Sequence, residues 1–169
     1  FADLLSDRQG TFIPGDAEQL SFPSGQDLIV SCSALQWFVS PELFFKRCNA
    51  LLSGHGYFAF STFGKENLKE IAAVTGSGLH YYSLEELKKS LSMHYNIVTA
   101  GEERIRLTFA TPLDVLYHLK HTGVTAVCRQ AWTKGDLQEF CDKYAKLFSC
   151  GNAVTLTYHP LYIIARKKP

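Results

Sequence analysis

Residues 27–33 constrain the fold more than any other stretch, because their centre, Leu28-Ile29-Val30, is apolar without alternation. Such a run describes a strand covered by helices on both faces, which is the situation of a parallel sheet. The residues that follow fit that frame. Ser40-Pro41-Glu42 places an N-cap, a first-turn proline and a first-turn acid in order, and Leu43, Phe44, Cys48, Leu51 and Leu52 then recur at helical spacing. Gly54 and Gly56 predict the end of that helix, and the aromatic-rich alternation of 57–63 predicts a second strand, broken by Gly64. Upstream, 11–14 reads as a short strand ended by a Gly15-Asp16 turn. The whole run 15–63 is two consecutive strand-and-helix units of an α/β sheet of the nucleotide-binding kind.

Beyond it, 66–74 and 83–92 read as helices, the second opened by the capping box Ser83-Leu84-Glu85-Glu86. Residues 95–109 form a long strand with Ile97, Ile105, Leu107 and Phe109 as its expected buried face. Thr111-Pro112 opens a helix to about residue 122, and 133–148 contains another with Leu137, Phe140, Cys141, Tyr144 and Leu147 in register. A last strand, 153–166, is interrupted by Pro160. The helical pair 111–150 therefore sits between two strands that would otherwise make a plain hairpin. An insertion of this size suits a lid or substrate-recognition module on a core made of 1–110 and 151–169, with plain cover for the sheet edge as the competing role.

With 46% apolar and 13% aromatic residues in 169, the chain has material for one sizeable core. A net charge of +1 gives no bulk electrostatic reason for a nucleic-acid or membrane-surface partner. No apolar run approaches the length that spans a bilayer, and no signal-peptide pattern opens the sequence. Five cysteines without a CxxC pair suit neither a disulfide framework nor a zinc site, and the six histidines lack metal-ligand spacing. A reducing, cytoplasmic setting without a metal is the expectation.

Particular motifs then add a family. GDAEQLSFP at 15–23, DLIVSCSALQW at 27–37, GYFAFSTF at 56–63, the SLEEL helix start, LKHTGVTAV at 119–127 and LTYHPLYIIARK at 156–167 occur in one order along the chain. In that order they resemble the malonyl-acyl-carrier-protein O-methyltransferases of biotin synthesis, the BioC family. The first and third are generic to class I S-adenosylmethionine-dependent methyltransferases; the QW, LKxxG and LTYH segments are more particular. The resemblance implies strands three to seven of a seven-stranded Rossmann-like sheet of order 3-2-1-4-5-7-6, the seventh antiparallel, with a helical insertion before the last strand. The glycine loop of that class is not in the sequence, and Met93 is the only methionine, so the chain matches the carboxy-terminal two thirds of such a protein. Strands one and two would lie between the third and fourth, a gap of roughly 14 Å at about 4.8 Å per strand. Either the sequence is a piece of a longer protein, or the segment 11–14 is displaced or paired with another chain; an unpaired fourth strand would be an exposed edge that invites a homodimer or aggregation.

The chemistry implied is methyl transfer from S-adenosylmethionine to the free carboxylate of malonyl-acyl carrier protein or malonyl-coenzyme A. A carboxylate is already ionised at neutral pH, so no catalytic base is expected. By resemblance, Asp16 and Ala17 meet the adenine, and Ser33, at the end of a strand, meets the cofactor; an Asx-turn is the competing role for Asp16. Gln36 and Trp37 line the acceptor side; capping the next turn is the competing role for Ser33 and Gln36, and core packing the competing role for Trp37. Lys120 and Arg129 in the insertion, with His121, Arg104 and Arg106, are the cations for carboxylate or carrier, and His159 beside Tyr158 is a further lining residue. Glu18 reads as a solvated neighbour. Two other readings stay open: a methyltransferase acting on another small acid or a quinone precursor, and a non-catalytic module that keeps only the partner-binding insertion.

Overall fold

The computed structural model describes residues 11–124 and 132–169. Its elements run β1 (Gln26–Cys32), a 3-10 turn (Leu35–Trp37), α1 (Pro41–Leu51), β2 (Leu52–Phe63), α2 (Lys69–Thr75), α3 (Leu84–Leu91), β3 (Tyr95–Glu102) and β4 (Ile105–Phe109). They continue with α4 (Pro112–His121), α5 (Lys134–Phe148), β5 (Ser149–Cys150), β6 (Ala153–Tyr158) and β7 (Pro160–Lys167). One sheet has the order β1-β2-β7-β3, with β1 and β2 parallel and β7 antiparallel to both its neighbours. That is the 4-5-7-6 portion of the expected order. The second sheet, β4-β6-β5, is antiparallel.

Local signals account for the elements that were legible. Capping boxes close at Ser83 with Glu86, Thr111 with Asp114 and Thr133 with Asp136, each satisfying backbone amides that the first helical turn leaves orphaned. The α1 start behaves differently. The Ser40 side chain makes no cap bond; instead the Glu18 carboxylate accepts from the Val39 N–H at 2.8 Å and the Ser40 N–H at 2.9 Å. A supposed solvated acid thus fastens the loop 15–23 to the start of α1.

Several expectations are corrected. Residues 11–14 are irregular and exposed rather than a strand. Gly54 and Gly56 do not stop α1, which ends at Leu51; they lie inside β2, and a Cβ at Gly56 would stand 2.8 Å from the Gln26 carbonyl oxygen, so glycine lets the β1 backbone approach. Among the described residues β1 is the sheet edge expected of it, but Leu28 and Val30 are 57% and 58% exposed, so one of its faces is open where helices on both faces were expected. In α1 it is Phe45, not Leu43, that turns inward, and in α5 Phe148 replaces Leu147. The helix expected from residue 66 begins at Lys69, after Leu68 in the left-handed region at φ 52°.

The two expected long strands each break at one level and change sheets there, so β3 and β7 pair in the first sheet while β4 and β6 pair in the second. Each sheet has its own core. The first gathers Phe44, Phe45, Phe58, Phe60 and Tyr95 in an aromatic series with neighbouring ring centroids 5.0–6.2 Å apart. The second packs α2, α4 and α5 on β6 through Ile71, Val115, Leu119, Phe140, Tyr144 and Leu156. The insertion helices therefore cover a sheet of their own and also touch α2.

Glu70, 2% exposed, ties α2 to that second sheet: its carboxylate accepts from the Thr157 N–H at 3.0 Å and from the Thr157 hydroxyl at 2.5 Å. Glu70→Ala leaves a buried amide and hydroxyl without partners, and should cost about 2–4 kcal/mol. Urea unfolding followed by circular dichroism is expected to show a lower midpoint with an unchanged slope.

Candidate functional site

Open α/β sheets bind ligands outside the carboxyl ends of their parallel strands. Here those ends are Cys32 in β1 and Phe63 in β2. Ser33, directly after β1, has φ 49°, and its N–H donates to the Ser61 carbonyl at 3.0 Å and the Ser61 hydroxyl at 3.1 Å. The Gln36 amide spans the same corner, donating to the Ser33 carbonyl at 2.6 Å and accepting from the Thr62 hydroxyl at 3.3 Å. Leu35, fully packed, roots the turn in the core. These bonds fix a rigid step from which Trp37 projects, 49% exposed. Ser33 and Leu68 are the two non-glycine residues with positive φ among those described, and they flank the two strand ends. Backbone strain of this kind persists only where surrounding structure over-determines it.

Trp37 forms one wall of a 720 Å³ cavity. Leu68, Ile71 and Ala72 of the α2 region form another, Gly78, Leu79 and Tyr81 a third, and Val124 of the insertion closes part of it. Lys65, Asn67 and Lys69 bring polar groups to the same space. Asn67 is consumed by the fold: its Oδ1 accepts from the His159 N–H at 3.2 Å and its Nδ2 donates to the Tyr81 hydroxyl at 3.0 Å.

Behind this wall lies a charged network. Glu66 accepts from Arg104 at 2.6 Å and from Lys69 at 2.9 Å, and Arg104 also reaches Glu102 at 3.1 Å. The Glu102 carboxylate faces His159 Nε2 at 3.1 Å, while His159 Nδ1 accepts from the Glu66 N–H at 3.1 Å. With Nδ1 as acceptor, it is Nε2 that donates to Glu102. Hydrogen bonds from Arg104 and then Lys69 pull the Glu66 carboxyl from 4.5 down to about 2, and those from His159 and then Arg104 lower Glu102. Lys65 and Ser83 bring Glu86 to about 2 as well.

A second, more apolar groove of 460 Å³ runs along the open edge of β1, lined by Ala17, Phe22, Ile29, Phe38 and Phe44 with Arg47. Asp16 stands exposed at its side, with Oδ1 accepting from the Glu18 N–H at 2.9 Å, the Asx-turn geometry. Its other carboxylate oxygen makes no hydrogen bond among the described residues.

The structure thus brings Ser33, Gln36 and Trp37 to one corner, and Ala17 to the neighbouring groove, with Asp16 preceding it in the chain but not itself a lining residue. Other expected residues lie elsewhere. His159 is 3% exposed and sits under the cavity wall as a structural pivot instead of lining the space. Lys120 is exposed on α4 and is not part of the cavity lining, and Arg129 falls outside the described residues. Sequence reasoning passed over Lys65, Asn67, Lys69 and Tyr81. The signal available was the run Gly64-Lys65-Glu66-Asn67-Leu68-Lys69 directly after a strand that ends at the ligand edge.

Residues 2–60 match the family model described as a methyltransferase domain. The chain is 56% identical to the malonyl-[acyl-carrier protein] O-methyltransferase of Bacteroides thetaiotaomicron, over 98% of this chain and 67% of that protein. It is 57% identical to the protein of the same name from Bacteroides fragilis, over 98% of this chain but 34% of that longer protein. Among solved structures, a putative methyltransferase from Bacillus halodurans superposes with a TM-score of 0.67 at 16% identity, covering 99% of this chain and 75% of the other, a likeness of fold.

The sign of the Glu66 shift sets a pH test. Its folded value lies below the ordinary one, so the carboxylate contributes stability above about pH 4.5 and loses it as pH falls through about 2. Thermal melts should decline more steeply between those values in the parent protein than in Glu66→Gln, and the two should differ most above pH 4.5. The motifs, the strand order and the relatives agree: this chain belongs to the malonyl-[acyl-carrier protein] O-methyltransferase family.

Proposed function

We propose that the protein is a cytoplasmic enzyme that transfers the methyl group of S-adenosylmethionine to the free carboxylate of malonyl-acyl carrier protein, the esterification used in biotin synthesis. The observation that carries this reading is the 56% identity to the relative of that name across 98% of the chain. Malonyl-coenzyme A is the simpler acceptor of the same chemistry.

The groove beside β1 fits the adenine end of the cofactor. Ala17, Phe22 and Phe38 give apolar walls for a flat ring, and the free oxygen of Asp16 can accept from an exocyclic amine. Ser33 lies between that groove and the acceptor cavity. When bound, S-adenosylmethionine supplies an electrophilic methyl on a sulfonium. The chain's own residues hold an ionised carboxylate in line with that methyl and keep water away. Displacement by a carboxylate oxygen needs no proton removed, which agrees with a corner whose side chains, Ser33, Gln36 and Trp37, include no titrating base. Trp37 and the apolar part of the cavity shield the reacting atoms.

We assign residues 111–150 to recognition of the carrier, with Val124 reaching the cavity and Lys120 and Arg129 as cations for an acidic partner.

Activity on the proposed acceptor can be measured directly. Full-length protein incubated with malonyl-acyl carrier protein and methyl-labelled S-adenosylmethionine should yield a base-labile methyl ester. Asp16→Ala should weaken S-adenosylhomocysteine binding roughly 10-fold in a calorimetric titration, as expected for one hydrogen bond to a charged group. Methylation of another small acid in preference to the malonyl thioester would overturn the assignment.

A further inference from the structure

The charged residues that line the 720 Å³ cavity are all of one sign. Among the described residues that line it, Lys65 and Lys69 are cationic and none carries a carboxylate. The carboxylates that pair with these lysines, Glu86 at 2.7 Å and Glu66 at 2.9 Å, are not lining residues. Each carboxylate is also shared: Glu86 accepts from the Ser83 N–H at 2.7 Å and hydroxyl at 2.9 Å, and Glu66 from Arg104 at 2.6 Å. Glu66 is divided between two cations, Lys69 at Oε2 and Arg104 at Oε1, while Glu86 gives Oε1 to Lys65 and Oε2 to the neutral Ser83 donors. The side chains of Lys65 and Lys69 are 53% and 43% exposed, which leaves their ammonium groups able to meet a ligand. Tyr81 adds a neutral donor: its hydroxyl accepts from Asn67 at 3.0 Å, which leaves its own proton to donate. Opposite these donors the walls are apolar, from Trp37, Leu68, Ile71, Ala72 and Leu79.

A cavity that is cationic at one side and apolar at the other selects a short acid over a neutral acyl group of similar size. We infer that Lys69, with Lys65 and the Tyr81 hydroxyl, binds the free carboxylate of the methyl acceptor, and that these residues set its specificity for a malonyl over an acetyl thioester. This inference rests on the malonyl thioester being the acceptor, as proposed for the protein's function. An ammonium can hold one carboxylate oxygen as a point charge and leave the other oxygen free to attack, whereas a bidentate arginine fork would occupy both. Lys69 is the first residue of α2, which Glu70 ties to Thr157, so its position is set by the second sheet.

The experiment measures binding of malonyl-pantetheine and acetyl-pantetheine to the full-length protein by calorimetry. The parent protein should prefer the malonyl thioester. Lys69→Met should lower malonyl affinity at least 10-fold while leaving acetyl affinity within about 2-fold, as loss of a charge-assisted bond requires. Lys69→Arg should restore binding in part yet lower the rate of methyl transfer, because its fork engages both oxygens. Lys65→Met and Tyr81→Phe should show smaller losses of the same selectivity, and circular dichroism melts confirm that each variant folds. A parent that discriminates but a Lys69→Met protein with the same malonyl-to-acetyl ratio overturns this assignment alone. A parent that does not discriminate, or binds neither thioester, overturns the acceptor reading together with it.

Discussion

The imidazole of His159 is the contact on which the site depends. It lies where β6 gives way to β7, and Gly64 makes room for it: a Cβ at that position would stand 2.6 Å from the ring. Two separate parts of the chain meet the ring, the Glu66 N–H at Nδ1 and the Glu102 carboxylate at Nε2. The backbone adds to this, since the His159 carbonyl accepts from the Gly64 N–H at 2.7 Å and its N–H donates to Asn67. One buried residue therefore fixes residues 64–67 against the corner at which the chain leaves one sheet for the other. Lys65 lies within that fixed segment and Lys69 two residues beyond it, so their placement follows from a histidine that is not among the residues lining the cavity.

This arrangement also explains why the histidine misleads when read from sequence. LTYH is a recognisable ending, and a histidine near a ligand edge invites a binding role. Packing decides otherwise, because a group 3% exposed with both ring nitrogens engaged has nothing left to offer a ligand. Residues that share its neighbourhood through long-range bonds, such as Glu70 with Thr157 or Lys143 with the Val74 carbonyl, carry no local pattern at all.

What was legible was local. The capping box at 83, the Thr111-Pro112 start and the proline after Ser40 announce helices because their signals close within three or four residues, and the structure adds boxes at 111 and 133. Alternation announced β2, and the order of motifs announced the sheet. Illegible features were those settled across the chain: the Glu18 clamp on Ser40, 22 residues away, the switch of both long strands between sheets, and the exposure of Leu28 and Val30. Of the site, the corner at Ser33, Gln36 and Trp37 follows from strand-end logic. Its cationic wall does not, because a lysine after a strand is ordinarily a solvated one, and only the cavity distinguishes these two.

The distribution of strain and charge then makes chemical sense of the division between the two sheets. Positioning an acceptor demands stiffness, and both left-handed non-glycine residues among those described, Ser33 and Leu68, stand beside the strand ends where a reacting group would be held. Ser33 is braced within the first sheet by Ser61. Leu68 is braced from the second, through its N–H on the Thr157 carbonyl at 2.8 Å and its buried side chain. The cavity is consequently a seam between two cores, with the acceptor corner built on one and the α2 wall on the other. A small change in how the insertion helices pack on β6 would shift Lys69 relative to Trp37 without disturbing the groove beside β1. On the proposed assignment of acceptor to the cavity and cofactor to the groove, a reaction that requires alignment more than acid-base chemistry would let acceptor choice vary at that seam while nucleotide binding stays with the first sheet.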